Sequence, residues 1–296
     1  MTSRSAPSYR GRFAPTPSGP LHGGSLLTAL ASWLCARAAG GHWLLRIDDL
    51  DRARCRPEHT DQILRQLEAH GLYWDETPRY QSQHIDAYRA ALAELDSEGC
   101  LYRCCCTRAI LARARRQGPD GSVYTGHCRD LSLDDERNSV RFRTEPGRMT
   151  LDDLGQGRIM RDISRDIGDF ILRRADGVIG YHLACAMDES HQQITEVVRG
   201  ADLLVATFCQ GLVLDALKQP APAYRHLPVL LDTHGRKLSK QNHAFPIDPD
   251  RATHNLYDGL KLLGQYPPAS MRVAAVAELL DWALLHWDPA RIPFAY

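Results

Sequence analysis

Short apolar runs alternate with longer stretches of helical spacing through the first hundred residues, and this rhythm predicts strands alternating with helices. Tyr9–Ala14 reads as a first strand, broken by Pro15, Pro17 and Pro20. A Leu- and Ala-rich stretch from Gly24 to Ala39 predicts a helix that stops at Gly40-Gly41. His42–Ile47 is a compact apolar strand running into the acidic cluster Asp48-Asp49-Leu50-Asp51. Residues 58–70 put Ile63, Leu64 and Leu67 at helical spacing before Gly71, and residues 84–98 repeat the pattern. Strands that alternate with helices build a parallel sheet.

Between Cys100 and about Asp166 the rhythm lapses into cysteines, a basic helix and turn-rich segments, as expected of an insertion. It resumes at Phe170–Leu172, Gly180–Ala184 and Ile194–Val198, followed by a helix over 207–217 that ends before Pro220. Arg236–Gln241 reads as a polar loop, and short helices, including Met271–Trp287, complete the chain. The pattern therefore divides into a first half of an α/β domain (1–99), an insertion (100–166), a second half (167–230), and a loop with a helical C-terminal region (231–296). A doubly wound parallel sheet is the expected architecture.

Composition changes this picture little. Hydrophobic residues make up 44% and charged residues 24%, as in ordinary globular chains. No run of about 18 apolar residues occurs, and the first eight residues lack the apolar stretch of a secretory signal, so no membrane partner and a cytoplasmic location are expected. Thirty-six basic residues balance 36 acidic ones, so any nucleic acid would have to meet a local basic patch. Nine cysteines without an export signal argue against disulfides, yet four of them fall between Cys100 and Cys106, which suits a metal.

Candidate chemistry begins at Arg12–Gly24, where a strand leads through a Pro/Gly-rich turn into a helix N-terminus. Such an end offers unpaired amides and a positive dipole to a phosphate, and Gly23 and Gly24 permit close approach. At this point a resemblance emerges. Leu21-His-Gly-Gly24 behind Ala14-Pro-Thr-Pro-Ser-Gly19 resembles the HIGH-type signature of class I aminoacyl-tRNA synthetases of the glutamyl/glutaminyl branch. Lys237-Leu-Ser-Lys-Gln241 is similar to the KMSKS loop of that class, while Arg46–Asp51 and Val198–Asp202 resemble the branch's amino-acid-pocket segments.

The resemblance implies a Rossmann-like nucleotide-binding domain that joins glutamate to the α-phosphate of ATP, with Mg²⁺, and passes it to RNA. His22 and Lys240 would be catalytic, with Gly23, Gly24 and Lys237 also at ATP. Arg12, Phe13, Ala14, Pro15, Thr16, Asp48, Tyr181 and Arg199 would hold L-glutamate, Arg199 reading the side-chain carboxylate. Guanidinium forks suit carboxylates. Three positions depart from the pattern: Asp48 where the family has glutamate, Gln193 where glycine is usual, and Cys209 where arginine is common.

Cys104-Cys-Cys106 with Tyr124–Cys128 reads as a zinc site, thiolates being soft ligands. It resembles the C-x-C…Y-x3-C set of the glutamyl-queuosine tRNA(Asp) synthetase branch, which implies Cys104, Cys106, Tyr124 and Cys128 as ligands of a structural Zn²⁺, with Cys105 and His127 as rivals. Arg108, Arg113, Arg115 and Arg116, read as one helix between the ligands, offer a basic face for RNA phosphates. The short segment after Lys240 leaves no room for a long anticodon-binding domain, and this too favours that branch. The implied acceptor is queuosine in the anticodon of tRNA(Asp), served by a monomer. A truncated synthetase that charges a 3′ end, or an inactive RNA-binding or glutamate-sensing relative, is the alternative.

Overall fold

The computed structural model describes residues 8–113, 115–228 and 247–294. Lys237, Lys240 and the rest of Arg236–Gln241 lie outside the described residues. The chain begins β1 (Arg10–Phe13), α1 (Gly23–Ala38), β2 (His42–Ile47), α2 (Pro57–Ala69), β3 (Arg79–Tyr80) and α3 (Ile85–Ser97). A region of short antiparallel pieces follows: β4 (Leu101–Cys104), α4 (Arg108–Arg113), β5 (Arg115–Gly118), β6 (Gly121–Tyr124), β7 (Ser139–Phe142), β8 (Arg148–Asp153) and β9 (Gly157–Asp162). Then come β10 (Phe170–Arg173), α5 (Tyr181–His191), β11 (Glu196–Gly200), α6 (Leu204–Ala216), β12 (Ala223–Leu227), α7 (Ala252–Leu262) and α8 (Val276–Leu285).

Two parallel ladders, β1–β2–β3 and β11–β12, lie side by side. Thr195 N donates to Arg10 O at 2.9 Å just before β11, which sets that strand beside β1. The chain thus winds outward from β1 in both directions. The crevice at the C-terminal ends of β1 and β11 is a switch point, where open α/β sheets bind ligands.

Strand alternation explains what each face carries. Phe13, Trp43, Leu45, Ile47 and Val198 pack with α1, α2, α7 and α8 in one core. Arg12, Arg46 and Arg199 point the other way, towards α5 and α6. Helix α1 is buried nearly all round because strands cover one side and α7 and α8 the other, which its run of Leu and Ala permits. At Gly259 an added Cβ would stand 3.3 Å from Leu30 Cδ2, so glycine lets α7 press against α1.

Most expected elements appear within three residues of their predicted ends, but the helix expected over Met271–Trp287 is only Val276–Leu285, and there are further informative exceptions. Gly180–Ala184 opens helix α5 rather than forming an apolar strand. The basic helix is shorter than read: α4 ends at Arg113, and Arg115 and Arg116 belong to β5. Strand β10, read as part of the second half-domain, pairs with β7 of the inserted region, and β7 pairs in turn with β4. No helix among the described residues is long and apolar enough to cross a membrane.

Gln193 follows the C-cap of α5 with φ +51°, the left-handed region that glycine enters without a Cβ penalty. Its side chain is exposed, so little packing offsets that strain. Gln193→Gly is expected to stabilise the fold by about 0.5–1 kcal/mol. A rise in the urea midpoint at constant m would report it; an unchanged or lower midpoint would refute the strain argument.

Candidate active site

The loop between β1 and α1 is held rather than draped. Asp48 N donates to Pro15 O at 3.0 Å, Arg56 N to Pro17 O at 3.1 Å, and Leu21 N to Gln66 Oε1 at 2.9 Å. His22 is the N-cap of α1, its Nδ1 accepting from Ser25 N at 3.3 Å. An added Cβ at Gly24 would crowd the His22 ring at 3.3 Å, whereas at Gly23 it would meet no protein atom within 4 Å. Loop, helix start and the end of β11 enclose a cleft of 340 Å³ lined by Arg12, Phe13, Ala14, Pro15, Thr16, His22, Gly24, Tyr181 and Arg199. Distant segments of the sequence therefore meet where the strand winding reverses.

Arg199, at 3% exposure, is fixed by neutral acceptors. Nη1 donates to Gln210 Oε1 at 2.9 Å, Nη2 to Thr207 Oγ1 at 2.6 Å, and Nε to His226 Nε2 at 3.5 Å; the guanidinium also lies 5.3 Å from the Tyr224 ring centre. Among the described residues no carboxylate lies within ion-pair distance of it, although Glu189, held by Arg12 and Arg46, is near enough to feel its charge. A buried cation left so calls for an anion, and this one opens into the cleft.

Arg12 differs. Its Nε meets both oxygens of Glu189 at 2.9–3.0 Å and Nη1 donates to Val198 O at 3.2 Å. Nη2 makes no hydrogen bond among the described residues. Glu189 also accepts from Arg46 Nη1 at 3.3 Å. Burial pushes its carboxyl up, but Arg12 and Arg46 outweigh that and hold it below the ordinary value.

Asp48 is already engaged. Arg46 Nε donates to its Oδ1 at 2.7 Å and Nη2 to its Oδ2 at 3.4 Å, while burial raises its carboxyl pKa against the pull of that guanidinium. Asp48 lines a second cavity of 190 Å³ that shares Thr16 and Tyr181 with the first. An ammonium reaching Asp48 would therefore enter between those two residues and share the carboxylate with Arg46. Asp49 instead caps the Gln81–Gln83 turn through Ser82 N at 2.8 Å and Ser82 Oγ at 2.6 Å. Cys209 is a buried core residue of α6 packed among apolar neighbours.

Sequence reasoning missed Glu189 and its neighbour Asp188, which receives Arg79 Nε at 2.7 Å, Gln81 Nε2 at 2.9 Å and the Tyr88 hydroxyl at 2.8 Å. The signal was there: Tyr181, Cys185, Asp188 and Glu189 follow a 4-3-1 spacing that shares one face of α5. Two acidic residues on the buried face of a helix require cationic partners.

In the inserted region Cys104, Cys106 and Cys128 bring their thiols within 4.8 Å of one another. Tyr124 Oη stands 3.5 Å from Cys104 Sγ and 3.4 Å from Cys106 Sγ, and Cys106 Sγ is 3.5 Å from Cys128 Sγ. A tetrahedral zinc with bonds of about 2.3 Å to sulfur and 2.0 Å to oxygen has edges of roughly 3.8 and 3.5 Å, so these four donors fit. Exposed Cys105 has its Sγ 3.9 Å from Cys128 Sγ but is not one of the three clustered thiols, and exposed His127 stands outside the cluster. Arg141 lies 3.8 Å over the Tyr124 ring. Against the upward push of burial, hydrogen bonds from Tyr124 and Arg141 bring the Cys104 thiol down to about 7. Arg116, by contrast, spends its guanidinium on the carbonyls of Ser164 and Arg165, so it leaves the proposed basic face.

Residues 8–268 match the family described as tRNA synthetases class I (E and Q), catalytic domain. A glutamyl-Q tRNA(Asp) synthetase of Chromobacterium violaceum is 49% identical over 286 residues, covering 96% of this chain and 95% of that protein. The protein of that name from Methylococcus capsulatus is 47% identical, covering 99% and 96%. Among solved structures, a glutamate tRNA ligase from Elizabethkingia meningosepticum in complex with its amino acid superposes with TM-score 0.77 at 25% identity. The match covers 96% of this chain but 66% of the ligase.

Proposed function

The chain belongs to the glutamyl-Q tRNA(Asp) synthetase family of class I synthetases, and from that premise we propose how its residues serve an ATP-dependent glutamyl ligase. The enzyme activates L-glutamate and transfers it to queuosine in tRNA(Asp). One observation carries the assignment of the cleft: Arg199 is a buried guanidinium without a carboxylate partner among the described residues, facing a helix N-terminus across the loop of β1.

In this reading Arg199 takes the side-chain carboxylate of glutamate and Arg12 offers Nη2 beside it. Phe13, Ala14, Pro15 and Thr16 shape the floor, and Tyr181 stands between the cleft and the Asp48 cavity, where the ammonium is received. His22 and the amides of Gly23 and Gly24 hold the phosphates of ATP at the start of α1. Lys237 and Lys240 lie outside the described residues; by their charge they would serve the leaving pyrophosphate, and Mg²⁺ would neutralise the rest. An oxygen of the glutamate α-carboxylate attacks the α-phosphorus, the bond to the bridging oxygen breaks, and pyrophosphate leaves. A hydroxyl of the queuosine ring then attacks the adenylate carbonyl, loses its proton, and AMP departs. Positioning and fixed charge supply the rate. Cys104, Cys106, Tyr124 and Cys128 would hold a structural zinc, and Arg108, Arg113 and Arg115 beside it would meet RNA phosphates in the cytoplasm.

The test uses two assays. ATP–pyrophosphate exchange should depend on glutamate and proceed without RNA. An anticodon stem-loop of tRNA(Asp) carrying queuosine should accept labelled glutamate, and the guanosine loop should not, because the cyclopentenediol supplies the nucleophile. Label on the 3′ end of a tRNA(Glu), with the stem-loop blank, would replace this acceptor. Absence of exchange would remove the catalytic reading.

A further inference from the structure

Hairpin β8–β9, which the sequence places in an insertion, reaches back to the catalytic half and closes on β12. Leu154 N donates to Tyr224 O at 2.8 Å, Gln156 Nε2 to His226 O at 2.7 Å, and Arg225 Nη1 to Leu154 O at 3.0 Å. A Cβ at Gly155 would stand 2.5 Å from His226 O, so glycine is what permits the approach. Asp153 is wholly buried at this junction. Its Oδ1 accepts from Gly155 N at 2.9 Å, Gln156 N at 2.8 Å and His226 N at 3.1 Å, and its Oδ2 lies 2.5 Å from His226 Nδ1. Although burial pushes the carboxyl up, these donors hold it below the ordinary value, hence ionised.

An ionised carboxylate can only accept, so His226 Nδ1 carries the hydrogen. Burial and the nearby Arg199 lower the His226 pKa in spite of Asp153, so the ring is neutral and Nε2 presents a lone pair. That lone pair faces Thr207 Oγ1 at 2.8 Å and Arg199 Nε at 3.5 Å. The Thr207 hydroxyl then donates to Nε2, a nearer acceptor than Leu203 O at 3.3 Å, and accepts from Arg199 Nη2 at 2.6 Å. Donors and acceptors match from Asp153 through His226 to Thr207, with Arg199 Nε sharing the Nε2 lone pair at the longer distance. The opposite tautomer would aim an N–H at the guanidinium. Thr207 is buried and does not line the cleft, so the Asp–His–Thr order serves no nucleophile.

We propose that Asp153 and His226 are positioning residues for glutamate recognition: Asp153 selects the Nδ1–H tautomer, and His226 with Thr207 then sets the aim of Arg199 into the cleft. The inference rests on Arg199 reading the substrate carboxylate. It makes the inserted hairpin part of the amino-acid pocket without touching substrate.

The experiment is a mutant cycle read by ATP–pyrophosphate exchange with the full chain. Asp153→Asn removes the charge that selects the tautomer. It should raise the glutamate KM about 10–100-fold, by analogy with the loss of the hydrogen-bond partner behind a metal-bound histidine, with the ATP KM unchanged. In an Arg199→Met background the same change should add nothing, because the guanidinium it aims is gone. His226→Gln, which keeps an acceptor near the Nε2 position, should restore more function than His226→Leu. Nitrogen-15 NMR of imidazole-labelled wild-type protein gives a readout free of folding losses and should show Nδ1–H. Equal glutamate KM in wild type and Asp153→Asn, full additivity with Arg199→Met, or an Nε2–H tautomer would overturn the proposal. If Arg199→Met alone leaves the glutamate KM unmoved, the recognition reading itself falls and the inference with it.

Discussion

Arg199→Met should raise the glutamate KM by roughly 10²–10³-fold while leaving the ATP KM near its wild-type value. The size follows from breaking a desolvated charge pair: removing one partner typically costs 3–5 kcal/mol, and each 1.4 kcal/mol is tenfold. Methionine keeps most of the volume, so the fold should survive the change. Thermal unfolding gives an independent view. Glutamate at 100 times its Kd should add about 2.7 kcal/mol to the wild type and nearly nothing to the variant at that same concentration. Equal stabilisation of both proteins would take Arg199 out of the pocket, whatever the kinetics say.

Zinc loss should have the other large effect. Reduced protein purified without chelators should hold about one zinc per chain, and Cys104→Ser or Cys128→Ser should hold little. Structural zinc contributes binding free energy directly to folding, apparently about 10–16 kcal/mol in small zinc modules. Here the neighbouring sheet of β4, β7 and β10 has its own ladder and apolar core, so the damage should stay local. Amide exchange should speed up over residues 104–128 while the parallel strands remain protected. Pyrophosphate exchange should persist and glutamyl transfer to RNA should fall. Metal analysis showing no zinc in such a preparation would refute the site.

Much of this was legible locally. Strand periods, Gly-Gly stops and the Pro/Gly turn before α1 depend on near neighbours, so Arg10–Phe13, Gly23–Ala38 and His42–Ile47 were recoverable to within a residue or so. The clustering of thiols was legible as well, because Cys104, Cys106 and Cys128 lie on two short segments of a single region, whereas spacing left Cys105 and His127 open as rivals. The basic face was over-read: spacing cannot tell that Arg116 turns its guanidinium onto the carbonyls of Ser164 and Arg165, nearly fifty residues on.

By itself the sequence determined the α/β alternation, the helix N-terminus behind His22, the arginines available for carboxylates and the cysteines available for metal. Only the tertiary structure decided who meets whom. Arg12 finds Glu189 across 177 residues, Arg46 takes Asp48, and Asp153 reaches His226 across 73. These partnerships leave Arg199 as the buried cation turned to the cleft with no carboxylate among the described residues. The reason is physical: backbone periodicity is set within a few residues, whereas the state of a charge is set by everything packed around it once water has gone.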